Sequence, residues 1–173
     1  MEKTSIRKIG LGVHLKIIDQ LIGKITYKNF DNKEENYSVQ IPTHWRLIAV
    51  NEYGNIFSDE EKKQGVLTIR SVSALFSKVE KYADDLVLGL VEKNNYELIS
   101  RSAIKINKRD GVDIVFRATA RVNGKEEKAA IILSIIHDAP SARFYLISYS
   151  VLEKDMNRYV VIYTNAIESF QIK

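Results

Sequence analysis

The stretch Val112-Asp113-Ile114-Val115-Phe116-Arg117-Ala118-Thr119-Ala120-Arg121-Val122-Asn123-Gly124 decides the fold class. Val112, Ile114, Phe116, Ala118, Ala120 and Val122 alternate with Asp113, Arg117, Thr119 and Arg121. That period of two marks a strand with its apolar face turned to a core. Asn123-Gly124 follows, and both residues tolerate the positive φ that a tight type I′ hairpin turn demands. Lys128 to His137 returns as a nearly continuous apolar run, suited to a strand covered on both faces. Asp138-Ala139-Pro140-Ser141 reads as the next turn, and Arg143 to Leu152 as the next strand. Upstream, Glu97 to Ile106 sets Leu98, Ile104 and Ile106 on one face and Arg101 and Lys105 on the other. Four such runs joined by short turns predict an antiparallel meander.

Two helices flank it. Over 77–93, Val79, Ala83, Leu86 and Leu90 form an apolar stripe edged by Tyr82 and Val87, with Ser77 and Glu80 at capping-box positions. Over 155–168, Met156, Tyr159, Val160, Tyr163 and Ile167 form a second stripe, continued by Phe170. A strand at 66–72 precedes the first helix. Earlier still, Ile25-Thr26-Tyr27 and Tyr37-Ser38-Val39-Gln40-Ile41 read as strands around the polar turn Asp31 to Asn36, and Pro42 stops the second. Trp45, directly after that stop, is expected under the sheet edge. Residues 46 to 64 read as a long connection with one helical turn. Ser58-Asp59-Glu60-Glu61 has capping-box form there, but Gly65 comes too soon for a long helix. The predicted class is α+β, an α/β/α sandwich with a mostly antiparallel sheet of about six or seven strands.

The 173 residues suit one domain, assigned to 25–173, behind a basic amphipathic extension at 1–24. In that extension Ile6, Ile9, Val13, Ile17 and Leu21 recur at helical spacing among Lys3, Arg7, Lys8, Lys16 and Lys24, while Gly10 and Gly12 weaken a helix. Packing of this segment on its own domain is favoured over peripheral contact with a membrane or partner. No run reaches the ~18 apolar residues of a membrane span. The first residues lack a secretory h-region and cleavage site, so the expected location is cytoplasmic for a complete chain, and the cell envelope if a leader was removed. There is no cysteine, which excludes disulfides, thiolate metal sites and a cysteine nucleophile. A net charge of +4 falls short of the dense basic patches of nucleic-acid binders, and no nucleic-acid partner is expected.

Tyr37-Ser38-Val39-Gln40-Ile41-Pro42-Thr43-His44-Trp45 resembles the strand, Pro, Trp opening of the PsbP/Mog1/DcrB-like fold. Ile167-Glu168-Ser169-Phe170-Gln171-Ile172 resembles the Ser-Phe close of that fold's C-terminal helix, and the order of elements between them fits from about residue 25 to 173. The resemblance implies a sheet sandwiched by helices, without a shared catalytic apparatus. Members serve as photosystem assembly or extrinsic subunits, binders of a small nuclear GTPase, bacterial envelope lipoproteins and effector chaperones. This chain departs from the lipoprotein pattern, having no lipidation cysteine and extra residues before the family-like opening.

Catalytic patterns are missing from the sequence. His14, His44 and His137 are scattered, without zinc-ligand spacing. Gly10-Leu11-Gly12 is a fragment of a dinucleotide-binding loop, and no nucleophile elbow or phosphate-cradling loop accompanies it. His137-Asp138 fits a turn aspartate bonding its own backbone better than an oriented base. Asp84-Asp85 fits a solvated helix face. No cofactor or metal is expected.

One constellation remains: Arg70, Arg101, Lys105, Arg117, Arg121 and Arg143, with Tyr145 and Tyr149, all on polar positions of the strands. On neighbouring strands they would share a face and bind an acidic partner through bidentate guanidinium contacts and rigid rings. The other reading, and the favoured one, is a solvated face or arginines paired with helix carboxylates. The leading functional expectation is a non-catalytic binding or assembly factor for a protein partner. The alternative is a small-molecule or anion-binding domain, with or without enzymatic activity, built on that basic face. A deep pocket with convergent polar groups would favour the second, and a shallow apolar patch rimmed by charge the first.

Overall fold

The structure, a computed structural model, describes residues 25–59, 64–74 and 78–173. Its elements are β1 (Tyr27–Asn32), β2 (Tyr37–Pro42), β3 (Arg46–Asn51), β4 (Gly54–Ser58), β5 (Val66–Ser73), α1 (Val79–Asn94), β6 (Glu97–Ile106), β7 (Arg109–Val122), β8 (Lys125–Asp138), β9 (Arg143–Leu152), a 3-10 turn (Glu153–Asp155), α2 (Met156–Ser169) and β10 (Gln171–Ile172). The expected extension 1–24 and the expected cap Ser77 lie outside the described residues.

The meander forms as its turns require. Asn123 and Gly124 take φ of 49° and 78°, so Val122 pairs with Lys125 and the register runs back to Gly111 opposite Ile136. β3 to β9 make one seven-stranded sheet in the order β3-β4-β5-β9-β8-β7-β6, and every pairing in it is antiparallel. β5 lies beside β9, so α1 carries the chain across the sheet to its far edge at β6. The two early strands leave this sheet. β1 and β2 pair with each other, and β10 joins β2, giving a second sheet in the order β1-β2-β10. β1 starts later and runs further than the sequence suggests, through Asp31 and Asn32, because the loop 33–36 is closed locally. Asn32 Oδ1 accepts the Glu34 and Glu35 amides at 3.0 and 2.9 Å, and Asn36 takes φ of 55°.

Each face of the large sheet has its own core. Against α1 lie Val112, Ile114 and Phe116 of β7, Leu133 and Ile135 of β8, and Phe144 and Leu146 of β9, under Val79 and Ala83. Against α2 and the small sheet lie Leu67, Ile69, Val115, Ile132, Ile136, Ile147 and Tyr149. Coverage on both faces explains the unbroken apolar run of β8. Trp45 is fully buried in the second core, and its indole N–H donates to Gln64 Oε1 at 3.1 Å.

Over 46–58 the expected long connection is instead the hairpin β3–β4, while the expected helical turn at Ser58 to Glu61 runs into 60–63, which lie outside the described residues. Two features conceal the hairpin in the sequence. Its turn residues are Glu52 and Tyr53, with Gly54 at φ 113° closing the loop against Asn51, in place of a recognisable Asn-Gly. A bulge between Leu47 and Ala49 also breaks the period of two. A second bulge, between Leu98 and Ser100, moves Leu98 onto the α1 face, away from Ile104 and Ile106.

Candidate functional site

The eight residues expected on one basic face are divided between both faces. Pairing sets Arg70 opposite Leu146 and Arg101 opposite Ile114, on the α1 side with Lys105. Arg117 lies opposite Ala130, Arg143 opposite Ser73, and Tyr145 and Tyr149 opposite Ile136 and Ile132, all on the α2 side with Arg121. The single-face expectation is thereby corrected. It followed one alternation through every strand, whereas the register between strands decides which polar positions coincide.

Most of these side chains are engaged within the protein. Tyr145 and Tyr149 are buried rings. Burial raises the Tyr149 phenol well above its ordinary range, and its hydroxyl donates to the Gln64 carbonyl. Arg117 bridges two carboxylates, with Nη2 to Glu153 at 2.7 Å and Nη1 to Glu97 at 3.0 Å. The Arg117 bond in turn holds the Glu153 carboxyl below its usual range. Arg101 reaches Asp84 at 2.9 Å and the Glu80 carbonyl at 3.1 Å. Lys105 pairs with exposed Asp110 at 2.8 Å. Arg70 is half-buried, and exposed Arg121 stands opposite Glu126 in the hairpin.

Arg143 and Tyr145 belong to a clasp that sequence reasoning missed. Glu35, in the β1–β2 turn, reaches the large sheet. Its Oε2 accepts from Asn55 Nδ2 of β4 at 2.9 Å, and its Oε1 accepts the Ser71 amide and hydroxyl of β5, both at 3.0 Å. Tyr145 donates to the Glu35 carbonyl at 2.8 Å, and Arg143 donates to Ser71 Oγ at 2.8 Å. Asn55 also donates to the Tyr37 hydroxyl at 2.9 Å. These contacts lock the small sheet onto the large one.

His44 shares Gln64 with Trp45, at 2.8 Å from Nε2. Asp138 is a sealed turn carboxylate, as its place before Pro140 suggests, bonded to Arg109 at 2.7 Å and to the Ser141 hydroxyl. Among the described residues, no three His, Asp or Glu side chains converge as a metal site. A depression of about 330 Å³ is lined by Glu127, Lys128, Glu153 and Lys154. It is shallow, and Glu127 is paired with Lys154.

The unusual surface is β3–β4. In a seven-residue span Leu47 is 41% exposed, Ile48 44%, Val50 68% and Tyr53 62%. β3 is also an outer strand of the large sheet, with no neighbour beyond it among the described residues. The opposite edge, β6, carries Glu97, Arg101 and Lys105, the charges by which proteins blunt a free strand. β3 has neither charge nor proline between Leu47 and Asn51, and only its bulge opposes pairing. The other exposed aliphatics, Leu88 and Val91 on α1 and Leu98 on β6, are accompanied by Asp84, Asp85, Glu92 and Glu97.

Comparison with solved structures places this architecture. Cyanobacterial PsbP (CyanoP) from Synechocystis sp. PCC 6803 superposes with a TM-score of 0.64 at 12% identity, over 86% of this chain and 94% of that one. The Ran-binding protein Mog1p of Saccharomyces cerevisiae gives 0.62 at 11% identity, over 86% and 96%. LpqN of Mycobacterium tuberculosis, involved in cell envelope biogenesis, gives 0.58 at 12% identity, over 90% and 95%. The chain therefore has the PsbP/Mog1-like fold, an α+β arrangement that among the described residues comprises two antiparallel sheets and two helices. No family model and no curated protein matches its sequence. No helix among the described residues is long and apolar enough to cross a membrane.

Proposed function

We propose that this protein is a non-catalytic binding or assembly factor that takes a protein partner on the β3–β4 hairpin. The observation that carries this reading is the uncharged run Leu47-Ile48-Ala49-Val50 on an outer strand whose charge lies only at its first residue, Arg46, so that the run is open to solvent where such strands are normally guarded. An apolar patch on a strand with no neighbour beyond it among the described residues suits a protein surface, which supplies both burial and a neighbouring strand. The fold agrees with this use, since one structural neighbour is itself a Ran-binding protein. The yeast protein's partner is not carried over, because a likeness at 11% identity conveys the fold alone.

The experiment is affinity capture from the source cell with the native chain and with Val50→Lys, each quantified by mass spectrometry. Val50 is exposed, so its replacement should leave the thermal midpoint within about 0.5 kcal/mol of native stability. A specific partner should be retained by the native chain and lost by the variant. Partners retained equally by both would remove β3–β4 as the binding surface.

A further inference from the structure

The exposed run of β3 is complementary to itself when turned end for end. Leu47 lies opposite Phe57 and Val50 opposite Asn55, two positions apart on β4, so both face the α2 side of the large sheet. Ala49, opposite Ile56, faces the other side, and Ile48 is the extra residue of the bulge. Counted along β4, Ala49 is the midpoint between Leu47 and Val50. Arg46 and Asn51 stand equally far beyond them, opposite Ser58 and Gly54. Exposed Glu52 follows Asn51 in the turn. A second β3 laid antiparallel about Ala49 would meet aliphatic with aliphatic, and the positive end of one strand with the negative end of the other.

We propose that β3 pairs antiparallel with β3 of a second copy of this chain, joining the two large sheets about a two-fold axis at Ala49. The pairing rests on β3–β4 being a protein-binding surface, as assigned above, and makes the bound protein another molecule of the same chain. Leu47 then packs against the second copy's Val50 on the α2 side, and the symmetry repeats that contact. Only the two Ala49 methyl groups meet on the axis, so the backbones approach without obstruction at the centre. Exposed Arg46 stands beside the second copy's Asn51, one residue from its Glu52. Arg46 is also engaged within its own chain, and its five N–H donors accommodate another acceptor. An unrelated strand has no reason to carry this reversed order of charge and apolar positions, whereas a second copy carries it by symmetry. The other edge, β6, keeps Glu97, Arg101 and Lys105, so the assembly closes at two instead of growing. One short strand is a contact at the low end of interface size, which makes the pair a weak one.

Sedimentation velocity of the full native chain reads the pairing directly. The coefficient should climb from monomer to dimer with a dissociation constant on the order of 100 μM. Val50→Lys should weaken the dimer at least about tenfold, since each lysine would be set against Leu47. The deciding arm is a charge exchange. Arg46→Glu alone faces glutamate with glutamate across the axis, Glu52→Arg alone faces arginine with arginine, and each should lose the dimer. An equal mixture of the two variants restores both opposite pairs and should restore the dimer. Each exchange shifts the net charge of +4 by two units, to +2 and +6, so bulk attraction between the variants cannot imitate the rescue. A second arm keeps the native charges. The chain has no cysteine, and Ala49→Cys would set two thiols on the axis. Cα atoms of an antiparallel pair lie roughly 4.5–5.5 Å apart, within disulfide reach. Mild oxidation should link that variant into a dimer, and should not link exposed Leu88→Cys on α1. A native chain that stays monomeric up to about 1 mM would overturn the pairing. Dimers that Val50→Lys and the charge exchange leave untouched would overturn it too. A monomeric chain from which Val50→Lys still removes a captured foreign protein would keep the binding surface and discard self-pairing alone. If Val50→Lys altered neither dimer nor capture, the surface itself would fall.

Discussion

At the scale of single residues, Asp138 shows how one buried charge is held. It sits almost fully buried at the end of β8, beside the turn to β9. Burial alone would raise its pKa, but the Ser141 hydroxyl and the Arg109 guanidinium outweigh that and hold it below the ordinary carboxylate range. The sign follows from linkage. A carboxylate depressed in the folded state stabilises above its unfolded pKa, and that contribution is lost as pH falls through the folded value. Asp138→Asn should therefore cost about 2 kcal/mol at neutral pH, since Arg109 loses its charged partner. The gap between the two proteins should close as pH drops below about 4. Urea titrations at pH 7 and pH 3 decide it, and a gap equal at both would show that the carboxylate's charge is not what holds the turn. The role of this residue was legible, because Asp before Ala-Pro-Ser announces a turn bonded to its own side chain. The role of Glu35 was not. Three of its acceptor contacts come from Asn55 and Ser71, 20 and 36 positions away, and no local pattern marks such a meeting.

At the scale of elements, strong local chemistry made the large meander readable. Strand alternation in β7, the Asn-Gly turn and the apolar stripes of both helices each depend on neighbours within a few residues. Gly124 tests that account. It takes φ of 78°, and nothing lies within 4 Å of where a Cβ would stand. Gly124→Ala would thus meet no clash, and its effect isolates the backbone conformation. It should destabilise by about 1 kcal/mol, read as a shift in denaturation midpoint with an unchanged slope. An unmoved midpoint would show that the turn does not rely on glycine. The hairpin β3–β4 was lost to sequence reading for the converse reason. Glu52 and Tyr53 are weak turn formers, the bulge shifts the alternation, and the aliphatics of β3 face solvent, against the usual assumption that such side chains mark a core. The candidate binding surface was invisible on the same grounds, since exposure is a property of the finished sheet.

At the scale of the whole molecule, the problem is how two sheets stay joined. They share a core, with Tyr37, Val39 and Ile41 of β2 packed beside α2 and the α2 face of the large sheet. Aromatic edges cross the joint as well, Phe30 on Phe57 at 4.8 Å and Tyr37 on Tyr145 at 6.3 Å. Apolar packing tolerates sliding, because it is non-directional. The Glu35 clasp supplies direction, for one carboxylate satisfies donors from β4 and β5 at once. Removing it leaves the Ser71 amide without that acceptor, so Glu35→Ala should destabilise by about 2–3 kcal/mol. Glu35→Gln retains one carbonyl oxygen and should recover part of the loss. Hydrogen exchange separates a clasp from an ordinary stabilising contact. If Glu35 fixes the joint, the amides of β1 and β2 should exchange faster in Glu35→Ala under native conditions, while those paired between β7 and β8 keep their protection. A uniform loss across both sheets would mean that the molecule opens only as one unit. The carboxylate would then add to global stability without positioning the small sheet, and with it the flank where β1 meets the exposed hairpin.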